Sequence, residues 1–177
     1  GLMNANPTGI SFYIKNLLLN LMEINADVKL YCKISRYNNR NNLLKHINSN
    51  ISWHYDHFYN PLIKIDIAHT TDSAFLNIRG AAKIYTIYDL AVFRKETQIP
   101  NYISASHKRK IDQKTKAILK NADGVIAISS TTKNDILQFY DFPENKIRVI
   151  PLAPNPIVES SIKEIDLKVH DLEKNGF

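Results

Sequence analysis

The stretch that most constrains the fold runs from residue 122 to residue 151 and has the pattern of a strand, a helix and a second strand. Residues 124–128 are a short apolar run rich in β-branched residues, which is typical of a strand buried on both faces. A helix is predicted after this run, ending before Pro143, and residues 146–150 have the pattern of a second buried strand. Because a helix separates the two strands, the stretch predicts a parallel pair joined by a crossover.

Hydroxyl side chains stand at the junction between the first strand and the helix. Ser129 and Ser130 end the strand, and Thr131 or a neighbouring hydroxyl can cap the helix by accepting from its free backbone N–H groups. Open α/β sheets place their ligands at the carboxyl ends of parallel strands, facing helix N-termini. The stretch therefore predicts a binding edge as well as a fold.

The rest of the chain alternates segments of helical and of strand-like pattern. From residue 10 to residue 23, for example, apolar residues recur at helical spacing. This alternation predicts an α/β fold, a mostly parallel sheet with helices on both faces. The predicted strands cover residues 27–34, 51–55, 63–68 and 83–88, the predicted helices cover residues 10–23, 35–50, 103–121 and 161–176, and residues 90–102 and 152–158 are predicted to be irregular.

Size and composition fit one globular domain with a polyanionic partner. The chain has 177 residues, of which 44% are hydrophobic and 23% charged. Cys32 is the only cysteine, which excludes a disulfide framework and a cysteine-based zinc site and fits a reducing compartment. No apolar run approaches the roughly 20 residues of a membrane span. The formal net charge of +6 favours acidic lipid, nucleic acid or phosphorylated glycan.

The sequence patterns at the two ends of the chain predict that it is a fragment of a longer protein. The first predicted helix begins almost at once, whereas a sheet of this kind normally starts with a strand that leads into a glycine-containing loop. The last residues, Asn175, Gly176 and Phe177, have the pattern of a helix C-cap followed by an apolar residue that can open another strand.

The loop of residues 7–11 contains Gly9 immediately before a predicted helix. A glycine at this position lets a phosphate approach backbone N–H groups at the helix N-terminus. A turn glycine beside a helix cap is the alternative interpretation, since a single glycine is a weak motif.

Polar residues also stand at the ends of three predicted strands: His69, then Tyr88 with Asp89, then Ser129. Taken singly, they are typical of a hydrogen-bonded loop histidine, a turn aspartate and a helix-capping serine. Their shared position at the carboxyl edge of the sheet favours a binding site built from all of them.

The predicted helix of residues 103–121 is strongly basic, with Asp112 as its single acid. Its cations form either a solvated face or a surface for a membrane or an anionic acceptor. Signatures of RNA recognition are missing, so the positive charge alone does not predict a nucleic-acid partner. Motifs for metal ions, phosphate-binding loops and serine hydrolases are also missing. The cations are Lys108, Arg109, Lys110, Lys114, Lys116 and Lys120.

Four segments together resemble one family, the GT4-type glycosyltransferases of the GT-B fold. PTGISFYIKNLLLNL, at residues 7–21, resembles the family's first loop and helix, TGIGRY…NLL. IDIAHTT, at residues 65–71, is similar to the D-x-x-H strand end, and KIYTIYDLAVF, at residues 83–93, to the TIHDL strand. The most specific segment is KNADGVIAISSTTKNDILQFYDFPENKIRVIPLAPNP, at residues 120–156.

The resemblance implies that residues 1–151 are a Rossmann-like, acceptor-binding N-terminal domain, the first half of a GT-B fold. Residues 152–177 would be a linker and helix leading to a C-terminal domain that binds most of the nucleotide sugar and carries an E-x7-E motif, which this chain lacks. The implied enzyme is a hexosyltransferase that retains the anomeric configuration, uses a nucleotide-sugar donor as substrate, and needs no metal ion or cofactor. The isolated domain is then expected to be inactive.

The resemblance also implies a setting and an acceptor. We expect a bacterial enzyme of polysaccharide or lipopolysaccharide synthesis that acts on a cell-surface or lipid-linked glycan. We expect it in the cytoplasm, in peripheral contact with the anionic inner face of the plasma membrane through Lys108, Arg109 and Lys110. The resemblance implies no nucleic-acid partner.

Three residues match the family's catalytic positions. Tyr88 stands where the family usually has a histidine close to the transferred sugar, and Asp89 follows it as in the family. Ser129 matches the serine at the end of the later strand, facing the cleft. The tyrosine is a departure, because any role that needs an imidazole is lost at this position.

Four further residues match positions that bind the donor or the acceptor: Gly9, Ser11, His69 and Lys133. Gly9 would contact the donor pyrophosphate or the transferred sugar through backbone N–H groups. Ser11 and Phe12 replace the usual Gly-Arg pair of the first loop, which is a second departure.

A different class of function stays open alongside the enzyme. Tyr88 in place of histidine favours a non-catalytic Rossmann-like module that binds an anionic glycan, a lipid surface or nucleic acid. Consumption of a sugar nucleotide by the complete gene product would separate the two classes.

Overall fold

A computed structural model describes residues 8–24, 27–32, 52–55, 64–71, 78, 80–96 and 102–153. From residue 82 onward, strands in this part of the chain alternate with helices, as the sequence pattern predicts. The strands are β1 (Lys29–Cys32), β2 (Ser52–Tyr55), β3 (Ile67–Thr70), β4 (Ala82–Ile87), β5 (Gly124–Ala127) and β6 (Ile147–Val149); the helices are α1 (Gly9–Glu23), α2 (Ala105–Asn121) and α3 (Ser130–Phe139), with short 3-10 turns at Ala91–Phe93 and Glu144–Lys146.

Strands β3 to β6 form one parallel sheet in the order β3-β4-β5-β6. The register pairs Ala68 with Lys83 between β3 and β4, and Tyr85 with Val125 between β4 and β5. Strands β1 and β2 pair with each other, also in parallel. Each strand of the larger sheet lies beside its neighbour in the chain, so the carboxyl ends of β3, β4 and β5 form one continuous edge.

One face of this sheet carries the main apolar core. Helices α2 and α3 contribute to it, because Ile118, Leu119 and Ile136 pack with the sheet residues of that face. Ile136 is fully buried, and Val125 is 2% exposed. The core residues are Tyr85, Ile87, Leu90, Ile118, Leu119, Ala122, Val125, Ala127, Ile136, Tyr140, Phe142 and Ile147.

The opposite face of the sheet meets helix α1. Tyr13 of α1 reaches Thr86 in β4 with its hydroxyl, at 3.4 Å from the threonine Oγ1. Thr86 alternates with the core residues Tyr85 and Ile87 along β4 and so points to the other side of the sheet. Helices therefore lie on both faces, which confirms the predicted fold class of a Rossmann-like α/β domain.

Each helix begins at a hydroxyl residue whose side chain accepts a backbone N–H bond. Thr8 precedes α1 and forms a reciprocal capping box with Ser11. Ser104 caps α2, and Ser129 caps α3. The cap of α3 is thus a hydroxyl neighbour of Thr131, two positions before it, and Thr131 itself lies inside the helix.

The structure corrects two predicted elements. The strand predicted at residues 63–68 begins later, at Ile67, and includes His69 and Thr70, because its pairing with β4 fixes its position. The irregular loop predicted at residues 90–102 contains the 3-10 turn Ala91–Phe93. Leu90 and Val92 are buried there, at 2% and 7% exposure, so the start of this segment is part of the core.

Other predictions keep their type with small changes of bounds, such as the strand predicted at residues 27–34, which covers Lys29–Cys32. The helices predicted at residues 35–50 and 161–176 lie outside the described residues. The proposed division at residue 151 stays a prediction. No helix among the described residues has the length and apolar character needed to cross a membrane.

Candidate functional site

The candidate site is the carboxyl edge of the parallel sheet. β3, β4 and β5 end at Thr70, Ile87 and Ala127, and the residues that follow them stand at this edge. The sequence places His69, Tyr88 with Asp89, and Ser129 at these strand ends. The structure brings all of them to the same edge of one sheet.

A hydrogen-bonded network lies beneath this edge, on the face that α1 covers. His69 Nε2 is 2.8 Å from Thr86 Oγ1, which also lies 3.4 Å from the Tyr13 hydroxyl. Thr86 is buried, at 6% exposure, and His69 is half-buried. The network joins α1, β3 and β4, so the histidine ring has a fixed position below the site.

Burial determines the charge of His69. It disfavours the imidazolium form and lowers the pKa of His69 from its ordinary value of 6.5. The imidazole is therefore neutral at pH 7. It can donate a hydrogen bond to Thr86 or accept one from it without placing a charge under the site.

Tyr88 is held by contacts on three sides. Its hydroxyl donates to the backbone oxygen of Thr71, at 2.6 Å, across from β4 to the end of β3. Its ring meets Tyr13 edge to face, with 6.0 Å between the ring centroids. Its backbone oxygen accepts from the Thr132 hydroxyl at 3.0 Å. The Tyr88 side chain is therefore held by α1 and the end of β3, and its backbone by the first turn of α3.

Asp89 follows as an exposed turn residue. Its Oδ1 accepts from the backbone N–H of Ala91 at 2.5 Å, which starts the 3-10 turn. The carboxylate thus has a structural contact and remains accessible to solvent at the edge.

Ser129 has the local role expected of a helix cap. Its Oγ accepts from the Thr132 backbone N–H at 3.0 Å and lies 3.0 Å from the Thr132 hydroxyl. Thr132 in turn donates to Tyr88, so the two edge positions are linked through one buried threonine. Lys133, in the same helix, forms an ion pair with Glu144 at 2.7 Å. The lysine is thus engaged by the turn that precedes β6.

Gly9 and Ser11 have different surroundings in the first turn of α1. Ser11 is 3% exposed, and its Oγ lies 3.1 Å from the Thr8 backbone N–H, so it belongs to the capping box. Gly9 is helical, and a Cβ built on it meets no atom of the described residues within 4 Å. Neither packing nor backbone conformation requires a glycine there, and alanine is the better helix former.

The basic residues of α2 divide into two groups by exposure. Lys108 is half-buried and stacks its Nζ over the Phe93 ring, 5.7 Å from the centroid. Arg109 and Lys110 are exposed. Phe93 lies in the 3-10 turn after β4 and also packs against Phe139 and Tyr140, so this contact ties the start of α2 to the end of α3.

A shallow groove of about 280 Å³ lies between the last turns of α2 and α3. Lys116, Lys120, Phe139 and Tyr140 are among its lining residues. None of the site residues predicted from the sequence lies in it. Helices that connect parallel strands run antiparallel to them, so this groove is at the opposite end of the sheet from the candidate site.

The sequence alone did not single out Tyr13, Thr86 and Thr132. Thr86 bonds His69 across 17 positions of the chain, Thr132 bonds Tyr88 across 44, and Tyr13 reaches Thr86 across 73. Thr86 offers one signal in retrospect, because it is a polar residue near the carboxyl end of a strand, between Tyr85 and Ile87.

The fold and this edge define a class of protein, an α/β domain with polar side chains gathered at the carboxyl ends of its parallel strands. Within this class, the family described as Glycosyltransferase Family 4 matches residues 7–155, which is most of the chain. The chain belongs to this family and is a glycosyltransferase-type domain, which confirms the resemblance. No curated protein and no solved structure gives a significant match.

Proposed function

We propose that this chain is the acceptor-side domain of a retaining glycosyltransferase that moves a hexose from a nucleotide sugar to a glycan or lipid-linked acceptor. The observation that carries the proposal is the junction of His69, Tyr88 and Ser129 at one sheet edge, tied together by Thr86 and Thr132. In open α/β sheets this edge is where ligands bind. The family assignment supports the reaction class.

The first turn of α1 is our proposed contact for the donor phosphates. A leaving nucleoside diphosphate needs N–H donors or positive charge, and the N-terminus of a helix of 15 residues offers both. The open space at Gly9 leaves room for a phosphate oxygen beside the backbone. Ser11 supports this turn through the capping box. A second domain is proposed to bind most of the nucleotide and to supply the main cationic contacts.

Tyr88 and Asp89 are our proposed contacts for the transferred sugar. The Tyr88 side chain is held by α1 and the end of β3 and would present its ring to a pyranose, while the exposed Asp89 carboxylate can accept from sugar hydroxyls. Neutral His69 holds the floor of the site, and Ser129 sets the start of α3. Lys133 would reach a ligand only by leaving Glu144.

The start of α2 is our proposed acceptor surface. Arg109 and Lys110 are exposed in the first half of α2, with Lys108 packed beside them over Phe93. Such a cluster suits an anionic acceptor or the anionic cytoplasmic leaflet on which a lipid-linked acceptor resides. This supports a peripheral location on the inner face of a bacterial plasma membrane, in polysaccharide or lipopolysaccharide synthesis.

The test is a transfer assay on the complete gene product with a panel of sugar nucleotides. We expect release of nucleoside diphosphate, an anomeric configuration that NMR shows to be retained in the product, and unchanged turnover in the presence of EDTA. Residues 1–177 alone are expected to show no turnover. Failure of the complete protein to consume any sugar nucleotide would contradict the proposal, and inversion at the anomeric carbon would contradict its retaining chemistry.

One observation favours the second function, a non-catalytic module that binds an anionic glycan or lipid. The Tyr88 hydroxyl, at a position where the family usually has histidine, donates to the Thr71 backbone oxygen, so this proton is committed inside the protein. Binding of a glycan by the complete protein without consumption of any sugar nucleotide would establish this function instead.

A further inference from the structure

A buried ion pair joins the segment after β4 to helix α3. Arg94 Nε lies 2.9 Å from Oδ1 and 3.0 Å from Oδ2 of Asp135, and Arg94 Nη2 lies 2.5 Å from Oδ2. The Asp135 side chain is 5% exposed and that of Arg94 is 21% exposed. Guanidinium and carboxylate therefore meet in a two-point geometry that fixes their mutual orientation.

Polar contacts join both ends of this segment to α3. Thr132 donates to the Tyr88 backbone oxygen at the start of the segment, and Asp135 binds Arg94 at its end. Thr132 and Asp135 are three positions apart, so they lie on the same face of α3. Tyr88 and Asp89, the proposed sugar contacts, stand in the stretch between these anchors.

Apolar packing already holds the middle of the segment. Leu90 and Val92 are buried, and the Phe93 ring lies 5.9 Å from that of Phe139 and 6.2 Å from that of Tyr140. The segment has this apolar anchorage without the ion pair. Desolvation offsets much of what a buried ion pair contributes to stability, and apolar residues of similar size often replace such a pair without loss. The ion pair adds a fixed orientation of the segment relative to α3.

We propose that Arg94 and Asp135 are positioning residues for glycosyl transfer. With Thr132, they lock the segment from Tyr88 to Arg94 onto α3 and so set where Tyr88 and Asp89 meet the transferred sugar. This inference rests on the proposed function for its effect on catalysis. The attachment of the segment to α3 by Arg94, Asp135 and Thr132, called the lock below, does not depend on that function.

Three variants of the complete protein test the lock. Asp135→Asn keeps the shape of the side chain and removes its charge. Arg94→Lys keeps the positive charge and loses the two-point geometry. The double variant Arg94→Met with Asp135→Leu replaces the pair by apolar residues and protects the experiment against a single variant that does not fold.

The matched control is Asp27→Asn. It makes the same chemical change in another carboxylate of an ion pair, Asp27 with Lys29 beside β1. β1 pairs with β2 in the smaller sheet, and neither residue lies in the segment from Tyr88 to Arg94. Its variant is expected to leave turnover and amide exchange of that segment unchanged.

Two measurements are made on each variant: hydrogen exchange of the backbone amides of residues 89–94, and kcat and KM for the sugar nucleotide that the wild type uses best. We expect the double variant and Asp135→Asn to exchange these amides about 10-fold faster or more. We expect kcat to fall about 10- to 100-fold, because a misplacement near 1 Å has effects of this size. The KM for the donor should change less than about 3-fold, since most donor contacts lie elsewhere.

If the pair of Arg94 and Asp135 only stabilised the fold, a folded variant would keep the wild-type kcat. A folded double variant with wild-type kcat would overturn the positioning role, and unchanged amide exchange would overturn the lock. A wild type that consumes no sugar nucleotide would instead overturn the proposed function and the catalytic half of this inference. In that case the exchange data still decide whether the lock exists.

Discussion

Replacement of Thr86 by valine tests the network beneath the sheet edge most simply. Valine has the shape of threonine and suits a strand, so Thr86→Val removes the hydroxyl and little else. That hydroxyl is buried, 2.8 Å from His69 Nε2 and 3.4 Å from the Tyr13 hydroxyl. His69 and Tyr13 each lose a contact when this hydroxyl is removed. Because the position is buried, little solvent can replace that contact.

The two contacts of the Thr86 hydroxyl contribute different free energies to stability. The bond to His69 is short, and loss of one partner of a buried hydrogen bond costs about 1–3 kcal/mol. The contact to Tyr13 is at the outer limit of a hydrogen bond and contributes a few tenths of a kcal/mol, roughly. The better fit of valine to a strand offsets part of the loss. We therefore expect Thr86→Val to lower the free energy of unfolding by about 1–2 kcal/mol.

The assay is urea denaturation, with Tyr13→Phe and the double variant completing a thermodynamic cycle. Tyr13→Phe should cost less than about 0.5 kcal/mol. Thr131→Val is the matched control, an exposed threonine on α3 whose replacement should change stability by less than about 0.5 kcal/mol. A Thr86→Val variant no less stable than this control would refute the network as a source of order at the site.

Three further predictions concern His69, the cap residue Ser129, and Gly124 at the amino end of β5. Because burial lowers the pKa of His69 in the folded state, the unfolded chain binds more protons, and the wild type should lose stability relative to His69→Gln as the pH falls below 6.5 and through the lowered pKa. Gly124→Ala should cost about 1 kcal/mol in thermal or urea unfolding, because the new Cβ would stand 3.0 Å from Ile84 Cδ1. Ser129→Ala should cost about 1 kcal/mol by the loss of the α3 cap, with Ser130→Ala as the exposed neighbouring control.

Each of these has an outcome that contradicts it. A stability difference between wild type and His69→Gln that is independent of pH would show that His69 titrates normally. Gly124→Ala should recover most of its stability in an Ile84→Val background, which lacks Cδ1, and equal loss in both backgrounds would place the clash elsewhere. Ser129→Ala with the stability of Ser130→Ala would mean that the cap bond is not needed.

Local patterns predicted the elements whose formation depends on neighbouring residues. The helical spacing of residues 10–23 and the apolar run at residues 124–128 gave elements within a few positions of α1 and β5. The bounds of β3 were wrong because pairing with β4 decides them. The buried turn at Ala91–Phe93 was missed, although its apolar run after Asp89 was visible in the sequence.

The position of the candidate site residues in the fold was predictable from the sequence, and the bonds between them were not. Residues at strand ends must meet at one edge of a parallel sheet, so His69, Tyr88 and Ser129 were identified from topology alone. The links through Thr86 and Thr132, and the pair of Arg94 with Asp135, span distant parts of the chain. Threonine, arginine and aspartate are common in any sequence, and only the folded structure shows which of them meet.

The most direct test of the account is Gly9→Ala in the complete gene product. Packing and backbone conformation tolerate this change, since a Cβ at Gly9 meets no described atom within 4 Å, and stability should stay equal or rise by up to about 1 kcal/mol. If the edge receives the donor phosphates, the added methyl group occupies their approach. The kcat/KM for the sugar nucleotide should then fall about 10-fold or more, while Gln138→Ala, an exposed control on α3, leaves it unchanged. A folded Gly9→Ala protein with wild-type kcat/KM would contradict the claim that this edge is one wall of the transfer site.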